Sequence, residues 1–391
     1  MTKVDIIKLA GIYIHIPFCV RKCLYCDFFS VPASEDTVAA YTDALCLEMQ
    51  RMSWVLPERE YDTVFLGGGT PSILTPEQIQ TIMRTLRTHF SVRADAEISM
   101  ECNPGTVTEE KLSGYREAGI NRLSVGMQSS DDGLLKRIGR IHTEDMFFGT
   151  VSAMKACGFD NFSVDIMQGL PGQTEEQYLE TIRAVAGTGA KHISSYSLIL
   201  EEGTPLYGMV GSGAVRLPGE DETADMEGAG SALLARLGFS RYEISNFAKE
   251  GYRCRHNLNY WKNGEYAGFG PGAHSAMHRP GWTRWNCPPD IPAYLSSIRK
   301  GDLPAYHSEQ IGKEEEMFET VMTGLRLCEG VPFEAFRLRF GRDLPETYPY
   351  AIGKLKEAGW LDTGAYAAGR LALNAKGLDL QNRALSFFLE R

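Results

Sequence analysis

The sequence predicts an α/β protein whose main domain is a partial (β/α)6 barrel and whose C-terminal part is a small helical domain of the winged-helix type. The main observation is that short β-rich runs alternate with helical patterns from residue 11 to residue 249, as in a parallel sheet or barrel. Several of the helical stretches open with Ser or Thr followed closely by Glu, which is a typical start of a helix. The chain has 391 residues, which favours two or three structural units over one.

The barrel is predicted from six strands, and a seventh strand is weaker. We expect the strands at residues 12–16, 63–66, 97–101, 122–127, 162–167 and 192–198, with the weaker one at 241–244. We expect helices between them at 75–89, 108–118, 143–157 and 174–186 and a further helix at 222–237, after a surface excursion rich in Gly and Pro at 203–221. Six strand-helix units suggest a barrel that does not close.

Two changes in composition divide the chain into three predicted parts. Residues 1–249 form the barrel with an N-terminal cysteine loop, and residues 250–305 form a connecting segment rich in Gly, Asn and aromatic residues. Residues 306–391 form the C-terminal domain, with helices at 313–327 and 350–359, two short β-prone pieces and a last helix from Asn374. This order resembles a winged-helix unit, but no helix in it is basic. We therefore expect it to pack on the barrel or cover it, and not to bind DNA.

The overall composition excludes several classes of protein. A hydrophobic fraction of 43% is that of an ordinary globular chain, which argues against disorder. The formal charge of −10 argues against a nucleic-acid partner, because binding to phosphates requires clustered cations. We find no long apolar run and no leader-like pattern, so we expect a cytoplasmic protein in which the cysteines stay reduced.

Three cysteines near the N-terminus predict an iron-sulfur site. Cys19, Cys23 and Cys26 form the pattern CxxxCxxC directly after an apolar run. Three thiolates can each bind one iron of a 4Fe-4S cluster, which leaves the fourth iron free to hold a small molecule. The main alternative is zinc, but a structural zinc site has four ligands, and no second cysteine pair is present.

The run Gly67-Gly68-Gly69-Thr70-Pro71 follows the second predicted strand and cannot continue it. Glycines allow a ligand to approach the backbone closely, and bare backbone groups at Gly68, Gly69 and Thr70 could bind an ammonium group. An ordinary strand-to-helix turn would explain the same residues.

Four polar residues stand at or just beyond the ends of predicted strands, where barrels place their sites. They are Glu101, Gln128, Arg140 and Asp165. A ligand with hydroxyl, amine and carboxylate groups could satisfy all four, since an unpaired buried polar group costs about 1 to 3 kcal/mol. In a purely structural interpretation, Glu101 and Arg140 pair with each other across the barrel mouth.

Together these motifs resemble the HemN-like group of radical S-adenosylmethionine proteins over nearly the whole chain. The resemblance implies that the three cysteines hold a 4Fe-4S cluster whose open iron binds S-adenosylmethionine. It also implies that the glycine run, matched letter for letter, and the four strand-end residues contact S-adenosylmethionine. Two tyrosines, Tyr13 and Tyr25, match positions that flank the cluster and the adenine in this group, although both could be packing residues.

Two branches share this barrel, the oxygen-independent coproporphyrinogen III oxidases and a group of heme chaperones. The oxidases carry a further cysteine where this chain has Phe28, and they have a longer segment than the eighteen residues that precede Cys19 here. The run His256-Asn-Leu-Asn-Tyr-Trp261 matches HNxxYW, the mark of the chaperone branch. The resemblance makes His256 the candidate heme ligand, and Cys254 is a second candidate.

The neighbouring run from Gly268 to Ser275 is either a close-packed turn or a loop beside the heme. The resemblance as a whole implies a protein that binds a 4Fe-4S cluster, S-adenosylmethionine and heme and that delivers heme to apoproteins, respiratory enzymes among them. Transient association with a membrane would suit such a role. Whether the chain is also an enzyme, as the oxidase alternative requires, stays open from the sequence.

Overall fold

The computed structural model describes residues 9–389, and within them twelve strands form one sheet. Six parallel strands form its centre: β1 (Leu9–Ile16), β2 (Glu60–Gly68), β3 (Ser91–Cys102), β4 (Arg122–Gln128), β5 (Phe162–Gln168) and β6 (His192–Ser197). The remaining strands of the sheet are β7 (Ser240–Arg241), β8 (Asn246–Ala248), β9 (Glu265–Phe269), β10 (His274–His278), β11 (Trp282–Asn286) and β12 (His307–Gln310). A second, two-stranded sheet pairs β13 (Val331–Pro332) with β14 (Arg370–Leu371).

Helices lie between and after these strands. In the first 300 residues they are α1 (Glu35–Met52), α2 (Pro76–His89), α3 (Glu109–Glu117), α4 (Asp132–Arg137), α5 (Glu144–Ala156), α6 (Glu175–Gly187), α7 (Pro205–Gly211), α8 (Glu220–Arg236), α9 (Arg255–Trp261) and α10 (Ile291–Lys300). In the C-terminal part they are α11 (Lys313–Gly324), α12 (Phe333–Phe340), α13 (Leu344–Thr347), α14 (Pro349–Glu357), α15 (Thr363–Ala367), α16 (Ala375–Asp379) and α17 (Gln381–Ser386). None of them is long and apolar enough to cross a membrane.

The order of the sheet confirms the predicted partial barrel. The strands follow each other as β12-β11-β10-β9-β1-β2-β3-β4-β5-β6-β8-β7, so β1 to β6 are neighbours in chain order. Every residue of β4 is buried, as expected for a parallel strand with both faces covered. Helices begin where the sequence predicts them, and Thr75 and Thr174 both form capping boxes with a Gln three residues later.

The barrel is extended on both sides by strands that the sequence did not predict at these bounds. β9 pairs in parallel with β1, and β10, β11 and β12 continue from it in antiparallel fashion. On the other side, the predicted strand at 241–244 is reduced to β7, and β8 pairs antiparallel to β6. The segment from 250 to 305 therefore contributes strands to the main sheet.

Two large hydrophobic cores and two small clusters are present in the described chain. The larger core lies within the barrel and reaches Ile298, and the C-terminal core contains residues from Met317 to Phe388. The C-terminal part contacts the barrel side through Arg339, which donates a hydrogen bond to the carbonyl of Asn263. The boundaries predicted after residues 249 and 305 stay a prediction.

One long helix was missed by the sequence interpretation. α1 has 18 residues and begins after Ser34, whose side chain accepts a hydrogen bond from the backbone N–H of Thr37. Glu35 and Asp36 occupy its first turn, which is favourable next to the positive end of the helix dipole. Ser followed by two acidic residues was the available signal.

Candidate cluster and cofactor site

The three cysteines lie on a loop that leaves the C-terminal end of β1. Phe18 is buried beneath the loop and forms a bridge with Val31, and the N–H of Cys19 donates to the Val31 carbonyl at 3.1 Å. The far side of the loop is held by Leu24, whose N–H donates to the Ile138 carbonyl at 3.0 Å. All three cysteines are free thiols of intermediate exposure. Backbone hydrogen bonds therefore fix the loop at its base and near its middle, while the thiols stay partly exposed.

Two neighbouring side chains donate hydrogen bonds to these thiols. Thr70 Oγ1 lies 3.3 Å from Cys19 Sγ, and Arg140 Nη1 lies 3.6 Å from Cys23 Sγ. Donors and a nearby cation stabilise thiolates, the form that binds metals. The loop thus already offers the chemistry that a cluster with cysteine ligands needs.

No three or more His, Cys, Asp and Glu side chains within residues 9–389 are arranged so that they could hold a single metal ion. The zinc alternative therefore finds no ligand shell in the described chain. A 4Fe-4S cluster makes a different demand, because each thiolate binds a different iron and the thiols need not converge on one point.

The glycine run lies beside the cysteines, and the backbone amides of Gly68, Gly69 and Thr70 are all engaged. Gly68 N–H donates to Glu101 Oε2 at 3.0 Å. The next two amides donate to backbone carbonyls of the cysteine loop and the strand before it. Gly69 N–H lies 2.8 Å from the Ile16 oxygen, and Thr70 N–H lies 2.7 Å from the Phe18 oxygen. A Cβ on Gly69 would lie 2.5 Å from the Phe18 carbonyl oxygen, so only glycine fits there. With these amides occupied, the run can offer only its carbonyl oxygens to a bound ammonium group.

Two half-buried carboxyl groups, those of Glu101 on β3 and Asp165 on β5, face the cluster loop from inside the barrel. Burial raises the pKa of Glu101 to about 8, and the nearby charge of Asp165 adds to the effect. Burial also raises the pKa of Asp165, although Ser124 Oγ lies 3.2 Å from both of its carboxyl oxygens. A cationic ligand between the two carboxyl groups would favour their charged forms.

Gln128 and Arg140 shape the opposite wall. Gln128 has a φ of 67°, and Asn263 is the other non-glycine residue with positive φ in the described chain. The register between β4 and β5 shifts just before Gln128, so the buried side-chain amide of Gln128 lies at an irregular strand end. Arg140 Nη2 donates to Asn103 Oδ1 at 2.9 Å and to the Gly126 carbonyl, while Nε is buried without a partner. No ion pair joins Arg140 to Glu101 among the described residues, so the structural alternative in which they pair is wrong.

Eleven of the predicted site residues line one cavity of about 390 Å³, which we call the cluster cavity. They are Cys19, Cys23, Tyr25, Cys26, Gly68, Gly69, Thr70, Glu101, Gln128, Arg140 and Asp165. The combination of three thiols, two half-buried carboxyl groups and an arginine with an unused donor fits an iron-sulfur cluster with a small zwitterionic ligand.

A second cavity of about 650 Å³ adjoins the first, and we call it the aromatic cavity. Its aromatic lining consists of Tyr13, Tyr25, Phe28, Phe29, Tyr196, Tyr260 and Tyr266, besides two histidines. Tyr25, Cys26, Phe28, Met167 and Tyr196 line both cavities and form their common wall. Of the two predicted tyrosines, Tyr25 therefore lies beside the cysteines, whereas Tyr13 faces the aromatic cavity.

Sequence reasoning missed several residues of these cavities. Asn103 and Ser124 hold Arg140 and Asp165, and Tyr196 stands near the end of β6. The rule that sites lie at the C-terminal ends of barrel strands applies to β6 as well and could have found Tyr196.

The HNxxYW run forms α9, which packs against the barrel. His256 is buried, its Nδ1 lies 2.9 Å from Thr63 Oγ1 on β2, and its Nε2 lies 2.9 Å from the Tyr260 hydroxyl. Burial and the charge of Arg122 lower the pKa of His256 to about 3, so the ring is neutral. Both nitrogens are engaged, and binding of His256 to heme iron would require one of them to give up its hydrogen bond. Tyr260 extends from this pair into the aromatic cavity.

Cys254 precedes the helix and is fully buried, and its thiol donates to Glu97 Oε1 at 3.5 Å. Burial raises its pKa to about 12, which disfavours the thiolate that would bind iron.

The loop between β9 and β10 is both a tight turn and a cavity wall. A Cβ on Gly270 would lie 2.3 Å from the Tyr41 hydroxyl, and Gly270 N–H donates to the buried carboxylate of Glu48 at 2.9 Å. Gly272 and His274 line the aromatic cavity. The two interpretations of residues 268–275 are therefore compatible.

Comparison with known proteins agrees with this geometry. Residues 13–185 match the Radical SAM superfamily, and residues 311–385 match the HemN C-terminal domain. The chain is 35% identical to the protein named heme chaperone HemW of Bacillus subtilis over 96% of this chain and 98% of that one. It is 40% identical to the protein of the same name from Escherichia coli over 69% of this chain and 71% of that one.

Among solved structures, the coproporphyrinogen III oxidase HemN from Escherichia coli is similar with a TM-score of 0.81 over 97% of this chain and 90% of that one, at 21% identity. That identity supports a shared fold and nothing further. The identity to the curated relatives over nearly full length is decisive for the family. The chain belongs to the HemW family of radical SAM proteins.

Proposed function

We propose that the protein is a heme chaperone that holds a 4Fe-4S cluster, S-adenosylmethionine and heme and transfers the heme to apoproteins. The observation that carries this proposal is the aromatic cavity, which shares a wall with the cluster cavity. Its volume of about 650 Å³ lies within the range of about 300 to 1,000 Å³ that is usual for cofactor pockets. The name of the relatives, heme chaperone, supports the same assignment.

The residues of the cluster cavity have separate roles in this proposal. Cys19, Cys23 and Cys26 would bind the cluster, and Thr70 and Arg140 would stabilise the thiolates through their hydrogen bonds. The cluster, when bound, would supply an electron for cleavage of the sulfonium bond of S-adenosylmethionine.

We propose that S-adenosylmethionine is held by the carbonyls of Gly68 and Gly69 and by Glu101, Gln128, Arg140 and Asp165, with Tyr25 beside it. Glu101 and Asp165 are half-buried acceptors for its ammonium and hydroxyl groups, and Arg140 brings a half-buried cation for its carboxylate. The closed packing around Gly69 would exclude water from that side.

The aromatic cavity suits a flat apolar cargo that must also leave. Phe28 is 66% exposed, Tyr196 40% and Ile199 67%, and all three lie on the cavity, so apolar surface is open to solvent at its mouth. Exposed apolar surface of this kind often marks a binding site for a ligand or a partner. We propose that Tyr13 and Tyr260 form part of the wall against which heme packs. A hydrogen bond with His256 holds Tyr260 in position.

Phe28 also bears on the alternative function, oxidative decarboxylation of coproporphyrinogen III. It presents a phenyl ring to both cavities at the position where the oxidases carry a further cysteine. A phenyl ring can neither donate nor accept a proton, so this position supports binding and not acid-base chemistry.

We propose apo-hemoproteins as recipients, including respiratory enzymes, and a cytoplasmic location with transient contact to the membrane. No helix among residues 9–389 could serve as a membrane span, so such contact would be peripheral. The C-terminal domain, residues 306–391 in the proposed division of the chain, would pack on the barrel and not bind nucleic acid, in keeping with the charge of −10.

Titration of the reconstituted protein with hemin, followed by the Soret band, tests the function. We expect a saturable spectral change with one heme per chain and transfer of that heme to an added apo-hemoprotein. No saturable change would refute the chaperone function. Conversion of coproporphyrinogen III in the presence of reductant and S-adenosylmethionine would establish the oxidase instead.

A further inference from the structure

His274 stands apart from the other histidines that line or approach the aromatic cavity. It is the first residue of β10, its side chain is exposed, and it lines the cavity. Its ring forms no hydrogen bond with any group of residues 9–389. His274 therefore places an imidazole at the edge of the aromatic cavity, and both ring nitrogens are available to bind a metal ion.

The other histidine on the cavity is not available. His15 Nδ1 lies 2.9 Å from the Tyr13 hydroxyl, and Nε2 lies 2.9 Å from the Phe29 carbonyl oxygen. His15 is also buried, and burial lowers its pKa. It therefore fixes the positions of Tyr13 and Phe29 on the wall and has no free nitrogen to offer a metal.

Tyr196, Tyr266 and Cys26 on this wall are less suitable ligands than His274. Tyr196 and Tyr266 could bind iron only as phenolates, and burial raises the pKa of both phenols. Cys26 belongs to the proposed cluster loop.

His274 is held in position by its backbone, while its ring stays available. β10 pairs with β11, where His274 is opposite Asn286, and the preceding turn is anchored by the bond from Gly272 N–H to the Cys287 carbonyl at 2.9 Å. Partial burial and the charge of Arg284 lower the pKa of His274, which favours the neutral ring that binds metals.

We propose that His274 is the axial ligand of the heme iron when heme occupies the aromatic cavity. This inference rests on the proposed heme-binding function and adds the residue that makes the site specific for an iron porphyrin. Bond formation needs no other reactant, because a lone pair of the neutral imidazole nitrogen fills an open coordination position of the iron.

The test compares two probes, hemin and metal-free protoporphyrin IX, in the full-length, cluster-reconstituted protein. An iron ligand matters only for hemin, whereas a packing residue matters for both. We expect His274→Ala to weaken hemin binding by about tenfold or more and to change the ligation seen in the Soret band and in electron paramagnetic resonance. Binding of metal-free protoporphyrin IX should stay as in wild type.

His307→Ala is the matched control, because His307 is an exposed histidine on β12 that does not line the cavity. Added imidazole should restore the wild-type hemin spectrum to His274→Ala. If His274→Ala binds hemin with wild-type affinity and spectrum, or if it weakens both probes equally, the assignment is wrong. If wild type binds neither probe, the proposed function itself fails, so the two failures are distinguishable. Iron and sulfide content and the thermal unfolding midpoint show whether a variant is folded, and His274→Gln replaces any Ala variant that is not.

Discussion

The imidazole of His256 and the hydroxyl of Thr63 lie 2.9 Å apart, although 193 positions separate them in the sequence. This contact joins α9 to β2, and the other ring nitrogen of His256 contacts Tyr260 at 2.9 Å. The histidine of the HNxxYW run is therefore a buried link between the barrel and the wall of the aromatic cavity.

His256→Ala should lower the free energy of unfolding by about 2 to 4 kcal/mol, because it leaves a void and two hydroxyls without partners. Thr63→Val removes one of these hydrogen bonds and should cost about 1 kcal/mol. Chemical denaturation measures both effects. The double variant should lose less than the sum, since the two residues share one interaction. Additive losses would show that the contact does not stabilise the fold.

The same residue predicts a loss of stability in acid. The pKa of His256 is about 3 in the folded protein against 6.5 for an ordinary histidine, so below pH 6.5 the unfolded chain binds a proton that the folded chain does not. The free energy of unfolding should therefore fall as the pH drops from about 6.5 towards 3, by up to about 1.4 kcal/mol per pH unit for this group.

Denaturation at several pH values, in wild type and His256→Gln, isolates this contribution, because Glu48 and other carboxyl groups with raised pKa act in the opposite direction in both proteins. The stability difference between the two proteins should shrink as the pH falls. His307→Gln, which replaces an exposed histidine on β12, is the control for the loss of a histidine elsewhere in the chain. A difference that is independent of pH would contradict the prediction.

Replacing any one of Cys19, Cys23 and Cys26 by Ala should reduce iron and sulfide after reconstitution to background, since a cluster with three protein ligands cannot lose one and remain stable. Chemical analysis of iron and sulfide is the measurement. Cys46→Ala is the control, because Cys46 lies in α1 and outside the cluster cavity. Full iron and sulfide content in any of the three variants would exclude that cysteine as a ligand.

Gly69→Ala should destabilise the protein by more than about 2 kcal/mol and reduce binding of S-adenosylmethionine, because its Cβ would clash with backbone oxygens that cannot move away. Thermal unfolding and isothermal titration of the reconstituted protein measure the two effects. Gly187→Ala at the end of α6 is the matched control, since nothing lies within 4 Å of the added Cβ. Equal behaviour of the two variants would refute the steric argument.

Thr70→Val should make the reduction potential of the cluster more negative, because the Thr70 hydroxyl donates to Cys19 Sγ and such hydrogen bonds stabilise the reduced cluster. Redox titration followed by electron paramagnetic resonance measures the shift. Thr88→Val is a control, since the Thr88 hydroxyl bonds only within its own helix. An unchanged potential in Thr70→Val would show that the hydroxyl does not contact the cluster ligand in the loaded protein.

The barrel could be predicted because its signals are local. Strands such as β1 and β4 contain short apolar runs, and helices such as α2 and α6 are preceded by Thr residues that cap them. β9, β10 and β11 have five residues each and lie between glycine turns, so they show no clear period, and only their pairing with β1 and with each other defines them.

The residues of the site also fall into a group that the sequence could predict and a group that it could not. The cysteines, the glycine run and the strand-end residues meet because parallel strands bring their C-terminal ends together. The hydrogen bonds of His256 could not be predicted, because they depend on a partner on a distant strand. The same is true of the availability of His274, which depends on the absence of a partner across the folded surface.

The common wall of the two cavities has a thermodynamic consequence. Five residues line both cavities: Tyr25, Cys26, Phe28, Met167 and Tyr196. A molecule that binds in one cavity and shifts these side chains therefore changes the free energy of binding in the other cavity. Such linkage is reciprocal: if S-adenosylmethionine and heme bind as proposed, the factor by which one ligand changes the affinity for the other is the same in both directions. In the proposed function, release of heme would then be controlled from the neighbouring cavity without any contact between the two ligands.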